Sequence, residues 1–137
     1  MTLSIIINEE TPLPEHFNPK SIATKICQLK NIHVGNFEFS FVSDTMIHEL
    51  NKRHLNHDYP TDTITFNLGG DEDIDIDAYI SVDTAKKNAS DYGSSLETEL
   101  TLYIIHCILH CIGYDDGNST DKETMETEQN RLLSKLG

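Results

Sequence analysis

Between residues 102 and 116 the chain reads Leu102-Tyr-Ile-Ile-His106-Cys-Ile-Leu-His110-Cys-Ile112, then Gly113-Tyr114-Asp115-Asp116. Residues 102–112 are apolar on every side of a helical wheel except at the two histidines, the pattern of a helix enclosed by protein rather than one lying on a surface. The rest of the chain must therefore wrap this segment. His106 and His110, at i and i+4, fall on one face of that helix, so their ring nitrogens can converge on a single ion. The break at Gly113 lets the chain fold back and present a carboxylate as a third ligand, leaving an open coordination position suited to chemistry. Two core histidines hydrogen-bonded to carbonyls are the alternative accommodation. Cys107 and Cys111 point roughly 100° away from the histidine face and read as packing residues.

Around this helix the remaining segments alternate. Leu3-Ser-Ile-Ile-Ile7 reads as a strand, and Pro12 and Pro14 mark a turn. Ile22, Ala23, Ile26, Cys27 and Leu29 keep helical spacing from about Pro19, and Phe37, Phe39 and Phe41 alternate in a strand over 36–42. Ser43 and Asp44 are N-caps for a short helix through Leu50. Arg53 to Tyr59 is a polar segment broken by Pro60, after which 63–67 resumes as strand. Gly69-Gly70 and the acids to Asp77 predict a loop before a strand at 78–82. Asp83 to Tyr92 predicts a helix stopped by Gly93, and Ser94 with Glu97 predicts the capping box of the histidine helix. Thr120 with Glu123 repeats that pattern before a last helix whose Met125, Leu132, Leu133 and Leu136 share a stripe. The fold class is α+β: one domain over 1–137, about four strands of mixed direction, helices packed on the sheet and the histidine helix at the centre.

At 137 residues, 37% hydrophobic and 24% charged, the chain has the composition of a globular domain. No apolar run spans a membrane, and MTLSIIINEE carries neither a basic leader nor a cleavage site, so the expectation is a cytoplasmic protein with no membrane partner. Three cysteines in helical patterns are not a disulfide framework. A net charge of -13 argues at first against nucleic acid. Eleven of the 23 acids, however, occupy 71–77 and 115–128, and the remainder holds twelve acids against nine bases, which leaves room for a local basic surface.

The segments 106–116, 50–66 and 77–85 resemble, in the same order, the YbeY family, bacterial metal-dependent endoribonucleases of ribosomal RNA maturation. The family's His-Gly-x-Leu-His-Leu-x-Gly-Tyr-Asp-His is matched by His106-Cys-Ile-Leu-His110-Cys-Ile-Gly-Tyr-Asp115-Asp116. Its Leu-Asn to Pro-Thr-Asp block is echoed by Leu50-Asn51 and Asp58-Tyr-Pro-Thr-Asp62-Thr-Ile-Thr-Phe66, and Met125 and Glu128 fall where the family has a Met and a Glu. The resemblance implies a zincin-like metal-bearing helix and a hydrolase cleaving phosphodiester bonds of single-stranded ribosomal RNA in small-subunit maturation and ribosome quality control. It implies RNA and ribosomal proteins as partners, and one divalent metal held by His106, His110 and Asp116. Zinc is the expected ion, with Mn²⁺ or another transition metal made more competitive by the carboxylate. Asp62, Asp115 and Arg53 are the candidates for catalytic roles.

Three departures stand out. Asp116 replaces the family's third His, Leu55 stands where the family commonly has an Arg, with Arg53 two positions away, and Cys107 replaces a Gly. A metallopeptidase places a Glu general base directly after the first His, where this chain has Cys107. A two-His-one-carboxylate oxygenase draws its ligands from strands of a barrel rather than one helix. A non-catalytic ribosome-associated factor using the metal for folding is the reading from another class.

Overall fold

The computed structural model describes residues 2–55, 62–69, 73–114 and 117–136. Four strands form one sheet: β1 (Leu3–Glu9), β2 (Gly35–Val42), β3 (Thr63–Asn67) and β4 (Asp75–Ser81), in the order β1-β2-β4-β3. β1, β2 and β4 run parallel, and β3 lies antiparallel on the edge beside β4. Five helices accompany them: α1 (Pro19–Leu29), α2 (Asp44–Leu50), α3 (Val82–Tyr92), α4 (Leu96–Cys111) and α5 (Ser119–Leu136). The mixed α+β architecture expected from the pattern is thus the one observed.

Register explains where the core lies. Ile5 pairs with Phe37 and Phe37 with Ile76, while Ile7, Phe39 and Ala78 align one step further along, so the alternating apolar residues of three strands share one face. Phe37 and Phe39 stack with ring centroids 6.0 Å apart. Against this face pack Ile26 and Cys27 of α1, Ile104, Ile105 and Ile108 of α4 and Met125 and Leu132 of α5, all buried. A second, smaller cluster of Val42, Ile47 and Ile64 lies apart from this core and includes α2. α4 is the innermost helix: of 100–109, only Leu102 and His106 are more than slightly exposed, as its unbroken apolar run requires.

Several element boundaries differ from the pattern reading. β4 begins at Asp75, within the run expected to be a loop, because Asn36 to Glu38 of β2 offer parallel partners to Asp75 to Asp77. Ile76 then faces the core while Asp75 and Asp77 take the opposite face, so alternate acids do not prevent a strand here. Val82 belongs to α3 instead of β4, since the Ser81 hydroxyl accepts the Thr84 N–H as an N-cap. After α2 the backbone continues through a turn of π-helix, Asn51–Leu55, which takes in the start of the polar segment Arg53 to Tyr59. Residues 56–61, the remainder of that segment, lie outside the described residues.

The cap expected at Ser94 is also displaced. Ser94 donates its N–H to the Ala89 carbonyl at 2.8 Å and so completes the end of α3, where Gly93 takes the left-handed φ of 66°. Ser95 is the N-cap of α4, its hydroxyl accepting the Thr98 N–H at 3.1 Å. Likewise α5 is capped by Asn118, whose Oδ1 accepts the Asp121 N–H at 2.9 Å, and Thr120 lies inside the first turn. At α4 two adjacent serines competed for one position, and the end of α3 selected between them.

Candidate active site

Along α4 the residues Glu99, Tyr103, His106 and His110 recur at i, i+4, i+7 and i+11 and form one polar stripe on an otherwise apolar helix. The two imidazoles meet edge to face, with ring centroids 4.5 Å apart and planes at 79°. Their Nε2 atoms are 3.0 Å apart. Two nitrogens bound tetrahedrally to one zinc ion at the usual bond length lie about 3.3 Å from each other, so the rings already hold nearly that separation. The other ring nitrogen of His106, Nδ1, is 2.7 Å from Gln129 Oε1 on α5. An amide oxygen can only accept, so this contact is a hydrogen bond when Nδ1 carries the proton, the tautomer that leaves the Nε2 lone pair for a ligand role. The donor chemistry at these two residues therefore fits a divalent ion.

The histidines open into a cleft of about 440 Å³. Its opposite wall is the edge strand β3, through Thr63, Thr65 and Asn67, with Asp62 at one end. Register shows why this wall is polar. Thr63, Thr65 and Asn67 pair with Ile80, Ala78 and Ile76, so they occupy the same face of the sheet that the core residues occupy on the inner strands. The apolar row gives way to hydroxyls and an amide on the edge strand, and the sheet there lines a water-accessible cleft instead of core.

Asp62 lies in this cleft but also shapes the turn into β3: its Oδ1 accepts the Thr63 N–H at 2.8 Å, and its carbonyl accepts the Ser81 N–H at 2.9 Å. Glu99 was not anticipated from the sequence. Burial, and then the negative charge of Asp62, hold its carboxyl above the usual range. Tyr103 accepts a hydrogen bond from Asn88 Nδ2 at 2.6 Å, and burial pushes its phenol up to about 12. Cys107 is fully buried, near Thr65 and Thr63; burial pushes its thiol up to about 11 and that of Cys111 to about 12. Cys107 is thus a packing residue, whereas Cys111 is half-buried and lines the cleft beside the histidines.

Arg53 stands exposed on the π-helical turn and is not among the described residues that line the cleft. Asp115 and Asp116 lie outside the described residues, and among the described residues no group of three or more His, Cys, Asp or Glu is gathered to hold a metal. The chain that leads to them is anchored. Gly113, at φ 103°, turns the backbone after α4, and the Tyr114 hydroxyl takes a hydrogen bond from Lys30 Nζ at 3.1 Å. Lys30 is also paired with Glu128, which is bound in turn by Arg131 through Nε at 2.5 Å and a terminal guanidinium nitrogen at 2.9 Å. A network from α1 and α5 thus fixes the start of the turn. Gln129 and Glu99 stand outside the metal-ligand motif, although helical spacing makes both legible, Glu99 on the stripe of Tyr103, His106 and His110 and Gln129 as a polar interruption of the Met125–Leu132 stripe.

Comparison with known proteins places this geometry in context. A family described as Endoribonuclease YbeY matches residues 7–137. The Endoribonuclease YbeY of Chloroherpeton thalassium is 38% identical over 136 residues, which cover 98% of this chain and 96% of that protein. The protein of the same name from Bacteroides thetaiotaomicron is 39% identical over 101 residues, 74% of this chain and 74% of its own length. Among solved structures, the solution structure of TM1509 from Thermotoga maritima superposes with a TM-score of 0.67 at 25% identity, covering 94% of this chain and 86% of that one.

Proposed function

The chain belongs to the YbeY family of endoribonucleases, and we propose on that footing that its cleft cuts single-stranded ribosomal RNA with one divalent metal ion held by His106, His110 and Asp116. The observation that carries this reading is the convergence of the two Nε2 atoms at 3.0 Å on the wall of the cleft. The activity is that of a hydrolase acting on RNA. A peptidase is disfavoured by Cys107, which is buried against Thr63 and Thr65 where that chemistry needs a general base. The whole chain, 1–137, acts as one catalytic domain in this reading, in the cytoplasm, on small-subunit ribosomal RNA and with ribosomal proteins as neighbours. Among the described residues no helix is long and apolar enough to cross a membrane.

When bound, the ion supplies positive charge opposite phosphate oxygens and an activated water, and zinc or manganese suits a site of two imidazoles and a carboxylate. The chain's own residues do the rest. His106 and His110 present nitrogen lone pairs from a helix buried on its other sides, which holds them still. Thr63, Thr65 and Asn67 recur at every second residue of β3, roughly 6.6–6.8 Å apart, as a neutral row of hydrogen-bonding groups for the sugar and phosphate of an extended strand. Asp62 sits at the end of that row, in the same cleft as the histidines, where it orients groups entering it.

Cleavage of a labelled single-stranded RNA by the purified protein, with and without chelator, tests this reading directly. Metal-dependent cutting is expected, and Asp116→Ala is expected to lose metal by elemental analysis together with activity. Intact RNA in the presence of Zn²⁺, Mn²⁺ and Mg²⁺ in turn would exclude the proposal.

A further inference from the structure

α5 carries a polar residue where its apolar stripe calls for an apolar one. Met125, Gln129, Leu132 and Leu136 recur at i, i+4, i+7 and i+11, and Met125 and Leu132 are buried in the main core. Gln129, between them, faces α4, and its Oε1 meets His106 Nδ1 at 2.7 Å. Its helix is clamped at the preceding residue, since Glu128 joins Lys30 of the α1 C-terminus to Arg131. The amide therefore approaches the ring from a braced element.

We infer that Gln129 is a positioning residue for the metal centre, selecting the Nδ1–H tautomer of His106 so that its Nε2 lone pair points into the cleft. This rests on the metal-centre reading given above. Neutral imidazole has one proton for two nitrogens, and whichever nitrogen keeps it cannot bind metal. With Gln129 Oε1 accepting from Nδ1, the proton stays on that nitrogen and Nε2 is the one open to an ion. A glutamine also fixes the ring without adding charge. With Asp116 as third ligand the centre already contains one carboxylate, and a neutral outer partner leaves more of the ion's positive charge for phosphate. The inference thus assigns orientation and charge balance to a residue that touches neither metal nor RNA.

Three full-length proteins test it: wild type, Gln129→Leu, which removes the acceptor at similar size, and Gln129→Glu, which keeps an acceptor at the same reach. Two readouts are needed besides activity. Long-range nitrogen–proton correlation spectra of the metal-free, nitrogen-labelled proteins report the His106 tautomer, and competition with a chromogenic chelator reports zinc affinity. The wild type and Gln129→Glu are expected to show the Nδ1–H form, with the Leu variant shifted toward Nε2–H and binding zinc roughly 10- to 100-fold more weakly. Retention of affinity by Gln129→Glu separates the hydrogen bond from mere packing, and keeps the test decisive if Gln129→Leu folds poorly. Equal affinity and an unchanged tautomer in Gln129→Leu would overturn the role of Gln129 alone. Failure of the wild type itself to take up zinc, manganese or another divalent ion would overturn the metal-centre reading whatever the tautomers show.

Discussion

Glu128 shows how much one side chain can hold together. Its carboxylate is bound by Arg131 and by Lys30, and although partial burial opposes ionisation, these cations hold it down to about 2. Because the folded value lies below the ordinary 4.5, ionised Glu128 favours the folded state, and that contribution is complete above about pH 4.5. It is lost as pH falls toward 2. Glu128→Gln should therefore be less stable than the parent at neutral pH and show a flatter loss of stability between pH 5 and roughly 2; urea unfolding at a series of pH values measures both. The same substitution frees Lys30 and with it the hydroxyl of Tyr114, two residues before Asp116. Glu99 works in the opposite sense, since burial and Asp62 raise its carboxyl, so its ionised form costs stability beside the site.

At the scale of elements, the histidine helix is placed by its two ends. Ser95 caps its start, Gly93 and the Ser94 N–H finish the preceding helix, and the left-handed Gly113 sends the chain back after its last turn. The capping box Ser94/Glu97 suggested by composition is off by one residue because Ser94 already serves α3. Ser95→Ala should thus lower stability by about 1 kcal/mol, the usual cost of a lost N-cap, while Ser94→Ala, whose backbone N–H is untouched, should be nearly neutral. Chemical denaturation of the two single variants separates them. A reversed order of effects would return the cap to Ser94. The edge strand illustrates a different control: its Thr63, Thr65 and Asn67 lie on the core-bearing face of the sheet, and only their position at the end of the strand order makes that face a cleft wall.

For the molecule as a whole, a net charge of -13 and a nucleic-acid substrate have to be reconciled. Among the described residues the cleft is lined by Thr63, Thr65, Asn67, Ile76, Cys111, two histidines and Asp62, with no Lys or Arg, and Arg53 is not part of that lining. RNA then gains little from displaced counterions and depends on hydrogen bonds and on the metal. Binding of a single-stranded RNA to metal-loaded protein should accordingly show a shallow salt dependence. A slope of log K against log salt of about -2 or weaker is expected, corresponding to at most two or three phosphate contacts at about 0.7 each. Fluorescence anisotropy at several salt concentrations gives the slope, and a value near -5 would require a basic surface elsewhere on the molecule.

Taken alone, the sequence determined what local periodicity can determine. The apolar run at 102–112 made α4 a buried helix, the four-residue spacing put His106 and His110 on one face, and the alternating phenylalanines of 36–42 made β2 a core strand. These signals are written in consecutive residues, so they need no partner to be read. The start of β4 inside an acidic run, the true caps of α4 and α5, and the placing of Gln129 against His106 were decided only by tertiary structure. β4 depends on Asn36–Glu38 and Gln129 on the α4–α5 packing, both distant in the chain, while the cap at Ser95 depends on how the neighbouring α3 ends. The spacing of the two histidines could announce a metal centre, but the orientation of their nitrogens required a second helix to fix it.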